Sequence, residues 1–140
     1  MSERGSVGGR ERRLSPRFNA SLGCQISLPD EERSSVVLFP DAKIAGRTRD
    51  LSERGLGVVA PTIYVGYDCV VDQGRTLIVS LELPSGAAIE LKATAAHYIR
   101  QDDSGGESSY LIGLSITGMD DDNRSRYTTL LAELAGPGKH

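Results

Sequence analysis

Along much of this chain apolar and polar residues take turns. Phe18, Ala20, Leu22, Cys24, Ile26 and Leu28 fall on one side of an extended segment, and Asn19, Ser21, Gly23, Gln25 and Ser27 on the other. Successive side chains of a strand point to opposite faces, so this period of two marks a half-buried strand. The alternation returns at Leu77, Val79, Leu81 and Leu83, at Ile89, Leu91, Ala93 and Ala95, and at Tyr110, Ile112, Leu114 and Ile116. Residues 56–60 form another apolar run, 43–49 a weaker strand candidate, and 35–39 a short one.

Turn signals separate these runs. Pro29-Asp30-Glu31-Glu32-Arg33, Pro84-Ser85-Gly86 and Asp102-Asp103-Ser104-Gly105-Gly106 combine residues that bend the backbone or bond to it locally. Residues 61–74, with Pro61, Gly66 and Gly74, show no clear period and read as a long loop holding one irregular turn. After Asp120-Asp121-Asp122 the period changes. Tyr127, Leu130, Leu131 and Leu134 make the stripe of an amphipathic helix, the acidic residues suit its N-terminus, and Gly136-Pro137 stops it. Short strands followed by one helix predict a mainly β chain, a small antiparallel barrel with a helical cover.

A length of 140 residues suits one domain. We expect a flexible arm over 1–11, which is rich in Gly and nearly free of apolar residues, a folded domain over 12–135 and a tail over 136–140. Sixteen Lys and Arg against 19 Asp and Glu give a net charge of −3. The charge is uneven: residues 1–17 hold five Arg against two Glu, which is +3 and leaves −6 for the rest. An acidic body with a basic arm does not coat DNA; it suits an arm that meets a local anion. No apolar run approaches the roughly 20 residues of a membrane span, and no secretory segment is visible. With Cys24 and Cys69 the only cysteines, we expect no disulfide and a cytoplasmic location.

Two clusters carry chemistry. Arg12-Arg13-Leu14-Ser15-Pro16-Arg17 offers guanidinium forks that match phosphate, or the O6/N7 edge of guanine, two bonds at a time. Pro16 pushes Ser15 towards extended backbone, so the cluster reads as a turn into the first strand. Asp50-Leu51-Ser52-Glu53-Arg54-Gly55-Leu56-Gly57 offers a carboxylate for guanine N–H donors, a hydroxyl, and a glycine at 55 with freedom of φ and room for close approach. Each cluster alone is also an ordinary solvated tail or turn. Their chemistry together fits a small anionic, hydrogen-bonding ligand.

The pair Arg13-x-x-x-Arg17 and Asp50-x-Ser52-x-x-Gly55 resembles the signature of PilZ domains, bacterial receptors for cyclic di-GMP (c-di-GMP). The resemblance runs from about Arg12 to Leu134 and takes in Leu83-Pro84-Ser85-Gly86 and Gly113-Leu114-Ser115-Ile116, with Ile116 standing where an aromatic is frequent. It implies a six-stranded antiparallel barrel with a C-terminal helix, and a receptor, not an enzyme, that changes conformation on binding and signals to a protein partner. It also implies ligand contacts from Arg13, Arg17, Asp50, Ser52 and Gly55, with Arg12 alongside and bearing on whether one ligand or a stacked pair binds. A later strand can add a stacking side chain, and Tyr98 and Arg100 are the candidates. No cofactor besides the c-di-GMP ligand is implied.

Other chemistries are poorly served. Cys24, Cys69, His97 and His140 lack metal-ligand spacing, the Asp120–122 run lacks a calcium-loop pattern, and no nucleophile motif appears. The alternative function is a PilZ-like scaffold acting only through protein contacts, as in pilus assembly; such scaffolds usually lack the Arg or Asp/Ser residues. A barrel for single-stranded nucleic acid is disfavoured by the acidic body and the scarcity of aromatics. Segments 29–41 and 61–74 are candidate partner surfaces by length alone.

Overall fold

The structure is a computed structural model that describes residues 16–29, 42–72, 74–102 and 105–136. The arm expected over 1–11, Arg12 and Arg13, the strand expected over 35–39, most of the 29–41 segment and residues 137–140 lie outside the described residues.

Among the described residues, nine strands and a helix follow in order: β1 Phe18–Asn19, β2 Gly23–Ser27, β3 Ile44–Leu51, β4 Gly55–Ala60, β5 Tyr64–Val65, β6 Asp68–Cys69, β7 Leu77–Glu82, β8 Ala88–Asp102, β9 Ser108–Gly118 and α1 Asp121–Ala135. Six of them run antiparallel as β3-β2-β7-β8-β9-β4, and β4 pairs back onto β3 to close a barrel. The inward halves of the alternating runs fill it, among them Ile26, Leu51, Leu56, Val58, Leu77, Val79, Leu81, Ile89, Leu91 and Ile112.

The alternation over 18–28 is split in two. Phe18 and Asn19 face Leu51 and Asp50, whereas Gly23 faces Arg47, so the first strand carries one residue more than its partner. Thr48 fills the break: its hydroxyl donates to Ala20 O at 2.5 Å and accepts from Leu22 N at 2.9 Å. A second bulge sets Arg49 aside, because Thr48 pairs with Val58 but Asp50 with Gly57.

The 61–74 region departs from the expected loop. Tyr64–Val65 and Asp68–Cys69 pair as a small hairpin that buries Val65 and the flanking Ile63 and Val70, and Asp68 bonds ionically to Arg75 at 3.6 Å. Two-residue strands are too short to show a period, which hides them in the sequence.

The helix closes one end of the barrel with the stripe expected for it: Tyr127 and Leu130 are buried, and Leu131 and Leu134 pack against the core. Asp120 caps it by accepting from Asn123 N at 2.8 Å, and Gly136 ends it at φ 84°. Two bonds pin it to the barrel. Glu90 N of β8 donates to Asn123 Oδ1 at 3.0 Å, and the Tyr127 hydroxyl donates to Ser52 O at 2.7 Å.

Candidate ligand-binding site

Residues directly opposed on antiparallel strands share a face. Leu51 opposes Leu56 and Thr48 opposes Val58, and all four point into the barrel. Between them Asp50 and Gly57 point out. Following the register sideways gives one outward row across five strands: Asn19, Asp50, Gly57, Gly113 and His97.

The two glycines make this row a shallow trough. A Cβ at Gly57 would meet Asp50 Oδ1 at 2.9 Å, and one at Gly113 would fall within 2.8 Å of three atoms of the His97 ring. Each glycine thus leaves space that a neighbouring side chain lies over, Asp50 at one rim and His97 at the other.

Among the described residues, four donors hold Asp50. Oδ1 accepts from Gly57 N at 3.1 Å and from Arg17 Nη1 at 2.6 Å; Oδ2 accepts from Arg49 Nε and Nη2, both at 3.3 Å. The carboxylate is covered, while the two guanidiniums stay open, at 51% and 57% side-chain exposure. A shallow carboxylate between two exposed cations is an arrangement for a ligand carrying both N–H donors and negative charge. Beside it, an open groove of about 820 Å³ continues over the outer face, with Asn19, Ser21, Arg47, Arg49, Val59 and Ser109 among its walls. Arg47 is steadied there by Ser21, through Oγ at 2.8 Å and the carbonyl at 2.9 Å.

The turn between β3 and β4 sets the level of the trough. Ser52 N donates to Gly55 O at 2.8 Å; the Ser52 hydroxyl donates to the same oxygen at 3.1 Å and accepts from Gly55 N at 3.2 Å. Ser52 is buried, so its hydroxyl shapes the turn and faces away from solvent. Gly55 is required for closeness and not for a positive φ, which it does not adopt. A Cβ there would stand 2.5 Å from the Leu114 carbonyl, and Arg54 O accepts from Ile116 N at 2.9 Å. Burial raises the pKa of the Tyr127 hydroxyl beneath the turn, opposed by the Arg17 charge and the Ser52 bond.

Arg17, Asp50, Ser52 and Gly55 are therefore brought together. Tyr98 and Arg100 are not. They oppose Ile112 and Tyr110 on the other face of the sheet, where the Tyr98 and Tyr110 rings lie 6.4 Å apart and Arg100 bonds Asp102 and Ser108. The β8 residue that shares the trough is His97. Sequence alternation missed it because Ala96 bulges, with Ala95 opposite Leu114 and His97 opposite Gly113, which turns the following residues over.

A family model for the PilZ domain matches residues 11–133. Sequence comparison with curated proteins finds no match. Among solved structures, the PilZ domain of YcgR from Escherichia coli, solved with c-di-GMP, shares the fold at TM-score 0.63 and 14% identity, over 88% of this chain and 91% of that one. The K. pneumonia MrkH–c-di-GMP complex is similar at TM-score 0.66 and 18% identity, over 92% of this chain and 55% of that one. Bacillus subtilis MotI/DgrA, an inhibitor of motility, gives 0.55 and 18%, over 89% and 52%. The chain spans about half the length of MrkH and of MotI. With the family model covering all but the ends of the sequence, this chain belongs to the PilZ domain family.

Proposed function

We propose that the protein is a receptor for c-di-GMP that takes the ligand in the outer trough between Asp50 and His97 and passes the event to a protein partner. The observation that carries the reading is Asp50 itself, a carboxylate on the outside of a barrel, lying over one glycine and bracketed by two exposed arginines. YcgR and MrkH, which share the fold, were solved with this dinucleotide.

In this account guanine N1–H and N2–H donate to Asp50. The Arg49 contacts are the longest on the carboxylate and come from an exposed side chain, so Oδ2 is the atom that exchanges partners, while Gly57 N and Arg17 keep Oδ1 in place. Arg49, released, joins Arg17 in facing phosphate. The Asp50 carboxylate and the His97 ring already lie over Gly57 and Gly113, so a flat base meets those two groups, and His97 stacks on it at the far rim. Arg12 and Arg13 close over the ligand from the N-terminal side. Ser52 and Gly55 act by holding the turn, and Tyr98 and Arg100 belong to the opposite face. Binding draws on charge, fork geometry and stacking; no bond is made or broken.

The test is displacement of a fluorescent c-di-GMP analogue from Arg17→Ala and His97→Ala. Removing the Arg17 fork weakens binding by about tenfold or more, as for loss of a charge-assisted pair, and removing the His97 ring by several-fold. Full affinity in Arg17→Ala contradicts the reading.

A further inference from the structure

The barrel is closed, yet among the described residues it keeps an open edge. The last β7 partner of β8 is Ala93, opposite Leu77, and beyond it the nine residues from Thr94 to Asp102 pair only with β9. Of the described residues between β6 and β7, Val71 and Gly74 stand across a gap of about 550 Å³ from residues 94–98. Among the described residues, no other backbone group bonds to it.

An edge of this kind offers a row of backbone donors and acceptors to any strand that fits, and proteins usually blunt it with lysine, proline, bulges or cover. Here the bulge at Ala96 protects only the near half. Residues 97–102 read His-Tyr-Ile-Arg-Gln-Asp, without lysine or proline, and Tyr98 and Ile99 are 47% and 56% exposed. The edge's charges, Arg100 and Asp102, neutralise each other at 3.2 Å, so two such edges meet without net repulsion.

We propose that two copies of this chain associate through this edge, antiparallel about a two-fold axis at Ile99. The sequence is self-complementary in that register. Ile99 meets its own copy, His97 faces Gln101, and Tyr98 faces Arg100 on a shared face, a guanidinium against a ring. A positively or negatively charged peptide gains no such match from a neutral edge. The pairing joins two barrels into one sheet and sets the two His97 rims side by side, and it needs no ligand.

Sedimentation of the full chain without nucleotide tests this. Wild type is a reversible dimer with a dissociation constant of about 10–100 μM, as suits an interface of small area. Ile99→Lys and Ile99→Glu each weaken association at least tenfold, because each places like charges across the axis; an equimolar mixture of the two restores dimers as heterodimers. Ile99 is exposed, so thermal melts of both variants stay near wild type and separate lost pairing from lost folding. Wild type that stays monomeric up to about 1 mM, a dimer that either variant leaves intact, or a mixture that stays monomeric overturns the proposal. The first of these outcomes would leave the edge to a strand from another protein.

Discussion

At the scale of single residues, the site depends on what two glycines leave out. Gly57 gives Asp50 both a donor and the space to lie flat, and a methyl group there would press on Oδ1 from 2.9 Å. Gly57→Ala is expected to tilt the carboxylate, weaken c-di-GMP binding about tenfold and cost roughly 1–2 kcal/mol of stability, measured by titration and by urea denaturation of the same sample. Cys24 gives a separate, pH-dependent prediction. It is buried in the core, and burial pushes its thiol up to about 11 from an ordinary 9.0. Unfolded chains lose this proton near pH 9 and native chains only near 11. The thiol's contribution is thus complete below pH 9 and falls by about 2–3 kcal/mol as pH rises to 11. The stability gap between wild type and Cys24→Ala should narrow over that interval in denaturation curves taken at pH 8 and pH 10.5; a constant gap contradicts the burial argument. Arg17, Asp50, Ser52 and Gly55, which the structure brings together in the candidate site, were legible in the sequence through the motifs that resemble the PilZ signature. His97 was not, since its face is fixed by a one-residue bulge that leaves no mark in composition.

At the scale of elements, α1 and the β3–β4 turn are one unit. The Tyr127 hydroxyl donates to Ser52 O inside the protein, so the helix seals the barrel by holding the loop that levels the trough. Tyr127→Phe keeps the ring and removes the donor, leaving a buried carbonyl without this partner. We expect a loss of about 1–3 kcal/mol in chemical denaturation. Amide exchange at the turn, read at Gly55 and Gly57, should quicken beyond that of the distant β7–β8 hairpin. Uniform protection with unchanged stability would mean that helix and turn are independent. The helix was readable from its stripe, cap and terminal glycine, and the long strands from their period of two. The β5–β6 hairpin was not, because four residues in two pairs are too few to show a period, and burial of Val65, Asp68 and the flanking Ile63 and Val70 holds them. The division of the first strand was hidden for a related reason: Thr48, 26 to 28 residues away, supplies the bonds that stabilise the break.

At the scale of the whole molecule, a barrel closed by β3–β4 pairing presents one outer face on which distant segments meet: Arg17 just before β1, the turn after β3, and the bulged middle of β8. Charge follows the same division, with a basic N-terminal segment against an acidic remainder. Among the described residues no helix is long and apolar enough to cross a membrane. The most direct measurement of the central claim is isothermal titration of the full chain with c-di-GMP, with GTP and cyclic GMP as controls. The account predicts saturable binding of c-di-GMP alone, with a stoichiometry that tells one ligand per trough from a stacked pair. A flat trace from protein that melts cooperatively would contradict it, and would make the trough a relic on a scaffold that works through protein contacts.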